Sequence, residues 1–219
     1  MKPVELKDVL RWLGSGKDAG TPELHSHIET AIRQLEAAVQ PREIHRFFPL
    51  SFDGDTFRVE DASFTSHSLS RNLKGCTEIA MMACTLGPEP DRLIRRAQIS
   101  SMADAAILQA VCTVMIENWC DEVNEKIREE ASQRQLFLRP RYSPGYGDLA
   151  LETQRDFFRI LDITKHTGIS LTEGCLMVPT KSVTAFIGLS RTDKNCILSG
   201  CEDCNMHDTC MYSRTEKHV

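Results

Sequence analysis

The sequence predicts an α+β fold, an antiparallel sheet with helices, and three observations carry that prediction. Residues 76–86 (CTEIAMMACTL) form an unbroken apolar run closed by Gly87-Pro88, as a buried strand would. Residues 100–131 repeat apolar side chains at helical spacing over the longest stretch of the chain. Residues 169–178 and 182–190 alternate well enough for two strands, with Pro179-Thr180-Lys181 between them as a hairpin turn. Strands and helices thus fall in separate runs rather than in strict alternation.

The other elements follow in order. Residues 4–13 read as a short helix stopped by Gly14, and Gly14 to Gly20 as a flexible connector. Thr21-Pro22 supplies an N-cap and a first-turn proline for a helix whose apolar face is Leu24, Ile28, Ile32, Leu35 and Val39, ending at Pro41. Short β-like runs at 44–50 and 56–64 flank the turn signal Asp53-Gly54. Pro88 to Ile99 reads as a helix with an acidic first turn. In the long helix Ile107, Val111, Met115, Trp119, Val123 and Ile127 mark the core side. A last helix covers 152–161, where Phe157, Phe158 and Leu161 can pack. No internal repeat or low-complexity segment interrupts this order.

Composition narrows the class. With 219 residues, 41% apolar and 26% charged, the chain can bury a substantial core. A net charge of −5 argues against nucleic acid, whose phosphates need a clustered basic face. No apolar run approaches the roughly 20 residues of a membrane span. The opening MKPVELKDVLRWLG lacks the apolar core of a signal peptide, so a cytoplasmic location is expected. Nine cysteines are many for such a compartment. Cys76, Cys84, Cys112, Cys120 and Cys175 sit in apolar segments and read as small core side chains.

Chemistry concentrates in residues 139–190. Arg141-x-x-Pro144-Gly145-Tyr146 joins a fork that can hold a carboxylate, a proline that fixes the turn, a glycine that admits close backbone approach, and a ring to cover a ligand. So short a string is also what a plain surface turn looks like. Its neighbours strengthen it: Ala103, Ala106, Ala110, Thr113 and Glu117 share one angular position on the long helix, leaving clearance with one carboxylate at its end. The bland alternative for that face is close helix packing, with Glu117 in solvent.

From about Ser101 to Ser190 the sequence resembles the S-adenosylmethionine-binding activation domain of cobalamin-dependent methionine synthase. The Arg141–Tyr146 turn carries the likeness, with the helix leading to Lys165-His166-Thr167-Gly168, Leu171-Thr172-Glu173 and Met177-x-Pro179. Residues 8–14 (DVLRWLG) and 66–87 look like the free-standing form of the family. The resemblance divides the chain into an N-terminal part (1–60), a binding core (61–192) and a Cys-rich tail (193–219). It implies S-adenosylmethionine contacts from Glu117, Arg141, the backbone of Ser143, Gly145 and Tyr146, with no nucleophile or general base, and His166 as a turn residue. Ser143 stands where the fused enzyme usually has a small apolar residue, which a backbone contact tolerates. Cys196-Ile197 stands where that enzyme has paired tyrosines, and the family's acidic contact from its N-terminal arm has no evident counterpart in 1–60.

The chemistry implied is reductive methylation: one electron reduces inactive cob(II)alamin, and the reduced cobalt takes the sulfonium methyl, so positioning does the work. No segment resembles the catalytic, folate-binding or cobalamin-binding modules. The expected partner is therefore a separate corrinoid-dependent methionine synthase lacking its own activation domain, with a flavodoxin or ferredoxin as electron donor. Another corrinoid methyltransferase as partner, or a non-catalytic docking or metal-binding module, are the alternatives.

Cys196-x4-Cys201-x2-Cys204-x5-Cys210 closes the chain as a dense thiolate cluster. The first part has the spacing of plant-type iron–sulfur ligation. His207 offers a zinc set with Cys201, Cys204 and Cys210 instead, and a tail without metal is the third reading.

Overall fold

The computed structural model describes residues 1–14 and 20–193. The tail residues Cys196, Cys201, Cys204, His207 and Cys210 lie outside the described residues, as does most of the 14–20 connector.

A four-stranded antiparallel sheet forms the centre, in the order β1 (Arg42–Pro49), β5 (Cys76–Thr85), β9 (Ser182–Ser190) and β6 (Phe137–Leu138). β5 and β9 pair from Thr85 opposite Ser182 to Cys76 opposite Ser190, with one register shift between Cys76 and Glu78. Both are covered on both faces, and strand periodicity sorts their side chains. Ala80, Met82 and Cys84 of β5 and Ala185, Ile187 and Leu189 of β9 face one core; Ile79, Met81, Ala83 and Phe186 face the other. That is why 76–86 reads as a continuous apolar run.

Helices cover the first face. α5 (Met102–Ser132) crosses the sheet, flanked by α1 (Leu6–Trp12), α2 (Pro22–Glu36) and α4 (Glu89–Ser100). The side chain of Thr21 accepts from the Leu24 amide (3.3 Å), the N-cap that the sequence predicts. Ser101 alone links α4 to α5; its extended backbone breaks the helix, and its hydroxyl accepts from the Asp104 amide. Burial on α5 is wider than one stripe: Leu108, Cys112, Ile116 and Cys120 are buried beside Ile107, Val111, Met115, Val123 and Ile127. Trp119 is only partly buried, and its indole N–H donates to the Arg42 carbonyl (3.1 Å).

The opposite face carries a three-stranded sheet of β2 (Ser51–Asp53), β3 (Thr56–Val59) and β4 (Ala62–Thr65), then α3 (His67–Asn72), α6 (Gln154–Leu161) and α7 (Ile163–Thr167). Phe186 is the hub of this core. Its ring meets Phe57, Phe64 and Phe157 with centroids 5.5, 5.2 and 4.4 Å away. All five described cysteines are buried thiols, as small core side chains.

The hairpin expected from 169–178 and 182–190 does not form. β7 (Ser170–Leu171) and β8 (Met177–Val178) pair with each other, while β9 leaves for the central sheet. The intervening Pro179-Thr180-Lys181 is pinned elsewhere: the Asp91 carboxylate accepts from the Thr180 amide (2.8 Å) and hydroxyl (2.6 Å). Local alternation could not show that a buried carboxylate would redirect the chain.

β1 is tied to α5 by a charged cluster. Glu43 and Glu130 hold the two ring nitrogens of His45 at 3.0 and 3.1 Å, and Lys126 reaches Glu43 at 3.4 Å. The hydrogen bond to Glu43 raises the His45 pKa above its ordinary 6.5, against the opposing effect of burial. The same bond lowers that of Glu43 below its ordinary 4.5. The His45 contribution is full below pH 6.5 and fades as pH rises through its raised value; that of Glu43 is full above pH 4.5 and fades as pH falls through its lowered value. The pair is therefore strongest between those limits. His45→Gln should cost about 1 kcal/mol near pH 6 and less near pH 9, read as melting temperature against pH; a cost independent of pH would refute this.

Candidate functional site

Residues 137–142 run along β9 and end in the Arg141–Tyr146 turn. Leu138 pairs with Leu189, the Arg139 amide donates to the Gly188 carbonyl (2.8 Å), and Tyr142 bridges Phe186. Between Leu138 and Tyr142 the register slips by one residue, a bulge. In a regular strand Leu138 and Tyr142 would share a face, yet Leu138 packs into the helix-side core and Tyr142 into the opposite one. The slip likewise parts two arginines only two residues apart. Arg139 is buried and donates to the Lys74 carbonyl, whereas Arg141 turns to α5. Gly188 makes room for this path, since a Cβ there would lie 2.7 Å from both the Cys76 sulfur and Leu73.

On α5 the Arg141 fork meets two carboxylates one turn apart. Its Nη2 donates to Glu117 (3.4 Å), and its Nη1 lies 2.9 Å from Asp121. Burial opposes the charge on Arg141, but Cys120, Asp121 and Glu117 together outweigh it and hold the pKa above the ordinary value. The Arg141 side chain is 24% exposed. Glu117, its side chain 39% exposed, thus reaches solvent while also pairing with Arg141.

The rest of the small-residue face is mixed. Ala103 and Ala106 are exposed, Ala110 is buried, and the Thr113 hydroxyl accepts from Lys181 (2.9 Å). The expected clearance is therefore narrowed by Lys181, which the Asp91 clamp holds in place. Burial lowers the pKa of that lysine.

The turn itself is built from backbone bonds. The Gly145 amide donates to Leu149, the Tyr146 amide to Ser143 (3.2 Å), and the Leu149 amide to Tyr146. Pro144 is buried, Ser143 is half-buried, and Gly145 and Tyr146 are exposed, the latter at 69%. Gly145 and Gly147 both have positive φ, +89° and +54°. A side chain at Gly147 would also collide with the Tyr142 hydroxyl, which donates to the Tyr146 carbonyl.

Asp148 fastens the turn to α3. Its carboxylate accepts from the Ser66 hydroxyl (2.7 Å) and from the His67 and Ser68 amides (2.7 and 3.2 Å). The Ser66 bond, foremost among these, pushes its pKa well below the usual carboxylate range. Asp121 and Asp148 do not stand out in the sequence, and Lys181 does so only as a turn residue. Two carboxylates at i and i+4 in a mostly apolar helix were the available signal for the first; the other two depend on long-range placement.

His166 is exposed, within 3.5 Å of Arg46, at the end of α7 where Gly168 (φ +76°) closes the helix. A cleft of about 530 Å³ between α2, α4 and the start of α5, lined by His27, Arg96 and Asp104, contains none of the five predicted binding residues. Among the described residues no group of three or more His, Cys, Asp or Glu could hold a metal ion, and no helix is long and apolar enough to cross a membrane.

Residues 91–208, more than half the chain, match the family model described as the vitamin B12 dependent methionine synthase activation domain. The chain belongs to this family. The matched segment contains Glu117, Asp121 and the whole Arg141–Asp148 turn. A solved structure described as the crystal structure of the MetH reactivation domain bound to AdoHcy is similar at 19% identity and a TM-score of 0.63, over 85% of this chain and 70% of that one. That likeness shows the shared α+β fold. No curated protein matches.

The site geometry gives one test of its construction. Gly147→Ala should destabilise the domain by more than about 1 kcal/mol, from the positive φ and the collision with Tyr142. Denaturant unfolding would read it, and a variant as stable as the wild type would contradict the turn described.

Proposed function

We propose that the chain binds S-adenosylmethionine at the Arg141–Tyr146 turn and supports reductive methylation of inactive cob(II)alamin carried by a separate corrinoid-dependent methionine synthase. The observation that carries this reading is the meeting of Arg141 with Glu117 at an exposed turn inside the family-matched segment. The bound AdoHcy of the similar MetH reactivation domain supports the ligand class.

S-adenosylmethionine supplies an electrophilic methyl on a sulfonium, and one electron from a flavodoxin or ferredoxin completes the exchange, leaving methylcobalamin and S-adenosylhomocysteine. This chain's residues then have positioning roles. Arg141 forks onto the ligand carboxylate. Glu117 accepts from the ligand's ammonium or hydroxyl groups. Gly145 lets the backbone, with the Ser143 peptide, approach without a Cβ, and the Tyr146 ring covers the ligand. Exposure of Gly145 and Tyr146 suits a site that a partner's corrinoid surface completes. No proton needs to be moved, so no catalytic acid or base is required.

Calorimetric titration tests the binding reading. Arg141→Ala should weaken S-adenosylmethionine roughly 10- to 100-fold, the loss of a charge-assisted contact, and Arg141→Lys should restore only part of it. Wild-type protein that gives no heat at millimolar ligand would leave only a docking role. Loss of the cob(II)alamin absorbance of a methionine synthase lacking this domain, on adding reductant, ligand and this protein, tests the partner.

We further propose that Cys196, Cys201, Cys204 and Cys210 hold an iron–sulfur cluster that relays the electron. The support is the thiolate spacing and the electron that the reaction consumes. Anaerobic purification should give a coloured protein containing iron and sulfide. One equivalent of zinc would favour the His207-containing set instead, and a colourless, metal-free protein would end both.

A further inference from the structure

Resting on the binding reading above, we infer that Asp121 is a selectivity residue: its carboxylate favours cationic S-adenosylmethionine over its neutral product, S-adenosylhomocysteine.

The argument is one of charge. Arg141 needs a single carboxylate to balance it, and α5 presents two, Glu117 at 3.4 Å and Asp121 at 2.9 Å. Formal charges in this trio sum to −1. Lys181 is held at Thr113, one turn before Glu117 and two turns before Asp121, and Lys126, five residues after Asp121 on α5, pairs with Glu43, so the negative excess lies at the Asp121 end. Glu43, on the adjoining β1 strand opposite Cys84, adds to that excess but is engaged by His45 and Lys126. Asp121 has Arg141 as its partner at the site.

The two ligands differ there by one charge. S-adenosylmethionine carries a carboxylate, an ammonium and a sulfonium, for a net +1. Transfer of the methyl leaves a thioether and a net charge of zero. Asp121 attracts the first and is indifferent to the second. It also competes with the carboxylate of either ligand for Nη1 of Arg141, since the guanidinium presents a limited fork of N–H groups. Removing the Asp121 charge should therefore weaken the substrate and leave the product equal or tighter.

Competitive titrations with S-adenosylmethionine, S-adenosylhomocysteine and sinefungin, which carries an ammonium where the sulfonium stands, separate charge from the methyl group itself. Wild-type protein should prefer S-adenosylmethionine and sinefungin over S-adenosylhomocysteine. Asp121→Asn should shrink that preference about 10-fold, on the scale of one nearby charge in a partly exposed site, and Asp121→Glu should keep most of it. Raising the salt to half-molar should erode the wild-type preference but not that of Asp121→Asn. An equal loss of all three ligands in Asp121→Asn, or sinefungin behaving like S-adenosylhomocysteine, would overturn the inference while leaving the site in place. Failure of the wild type to bind any of the three would remove the binding reading itself.

Discussion

The antiparallel pairing of β5 with β9 is the constraint on which everything else rests. Both strands are covered on both faces, so the side chains of residues 79–84 and 185–187 alternate between one core and the other. The helix face seats α5, which carries Glu117 and Asp121. The free edge of β9 takes residues 137–142, which deliver Arg141. Two halves of the site, about twenty residues apart in sequence, thus meet because one strand pair fixes both. A one-residue register slip in β5 or β9 would exchange the two cores outright.

The site is made by an irregularity laid on that regular frame. Without the bulge between Leu138 and Tyr142, Arg141 would point to the same side as Arg139, away from α5. Pro140 suits such a place because it offers no amide to a ladder. Gly188 provides the space beneath. The loop before β9, clamped by Asp91, sets Lys181 against Thr113 and trims the clearance along α5. Positive and negative groups are thereby spaced along one helix face at successive turns.

Much of the frame was legible in the sequence because it depends on short-range rules. Periodicity marked β5 and α5, Thr21-Pro22 marked the start of α2, and the scattered cysteines behaved as core residues. Arg141 and Glu117 were legible through the family likeness and helical spacing, and the structure brings them together. Long-range partners were not legible. The alternation in 169–178 and 182–190 is real, but Asp91 and the edge of β5 decide where β9 goes. Asp148 looks in sequence like an ordinary turn aspartate, and only the fold puts α3 above it. Lys181 and Asp121 are ordinary charged residues until their partners are placed.

The grip of Asp148 on the first turn of α3 ties two segments into one cooperative unit. Opening residues 66–68 releases the carboxylate that pins the turn at 143–148, and moving Asp148 away uncaps that helix. Local opening of either is then a single equilibrium, and whatever settles on the turn draws its free energy from both. A surface change far from Arg141, such as one that frays His67–Asn72, would reach the ligand through this shared opening rather than through any contact with it.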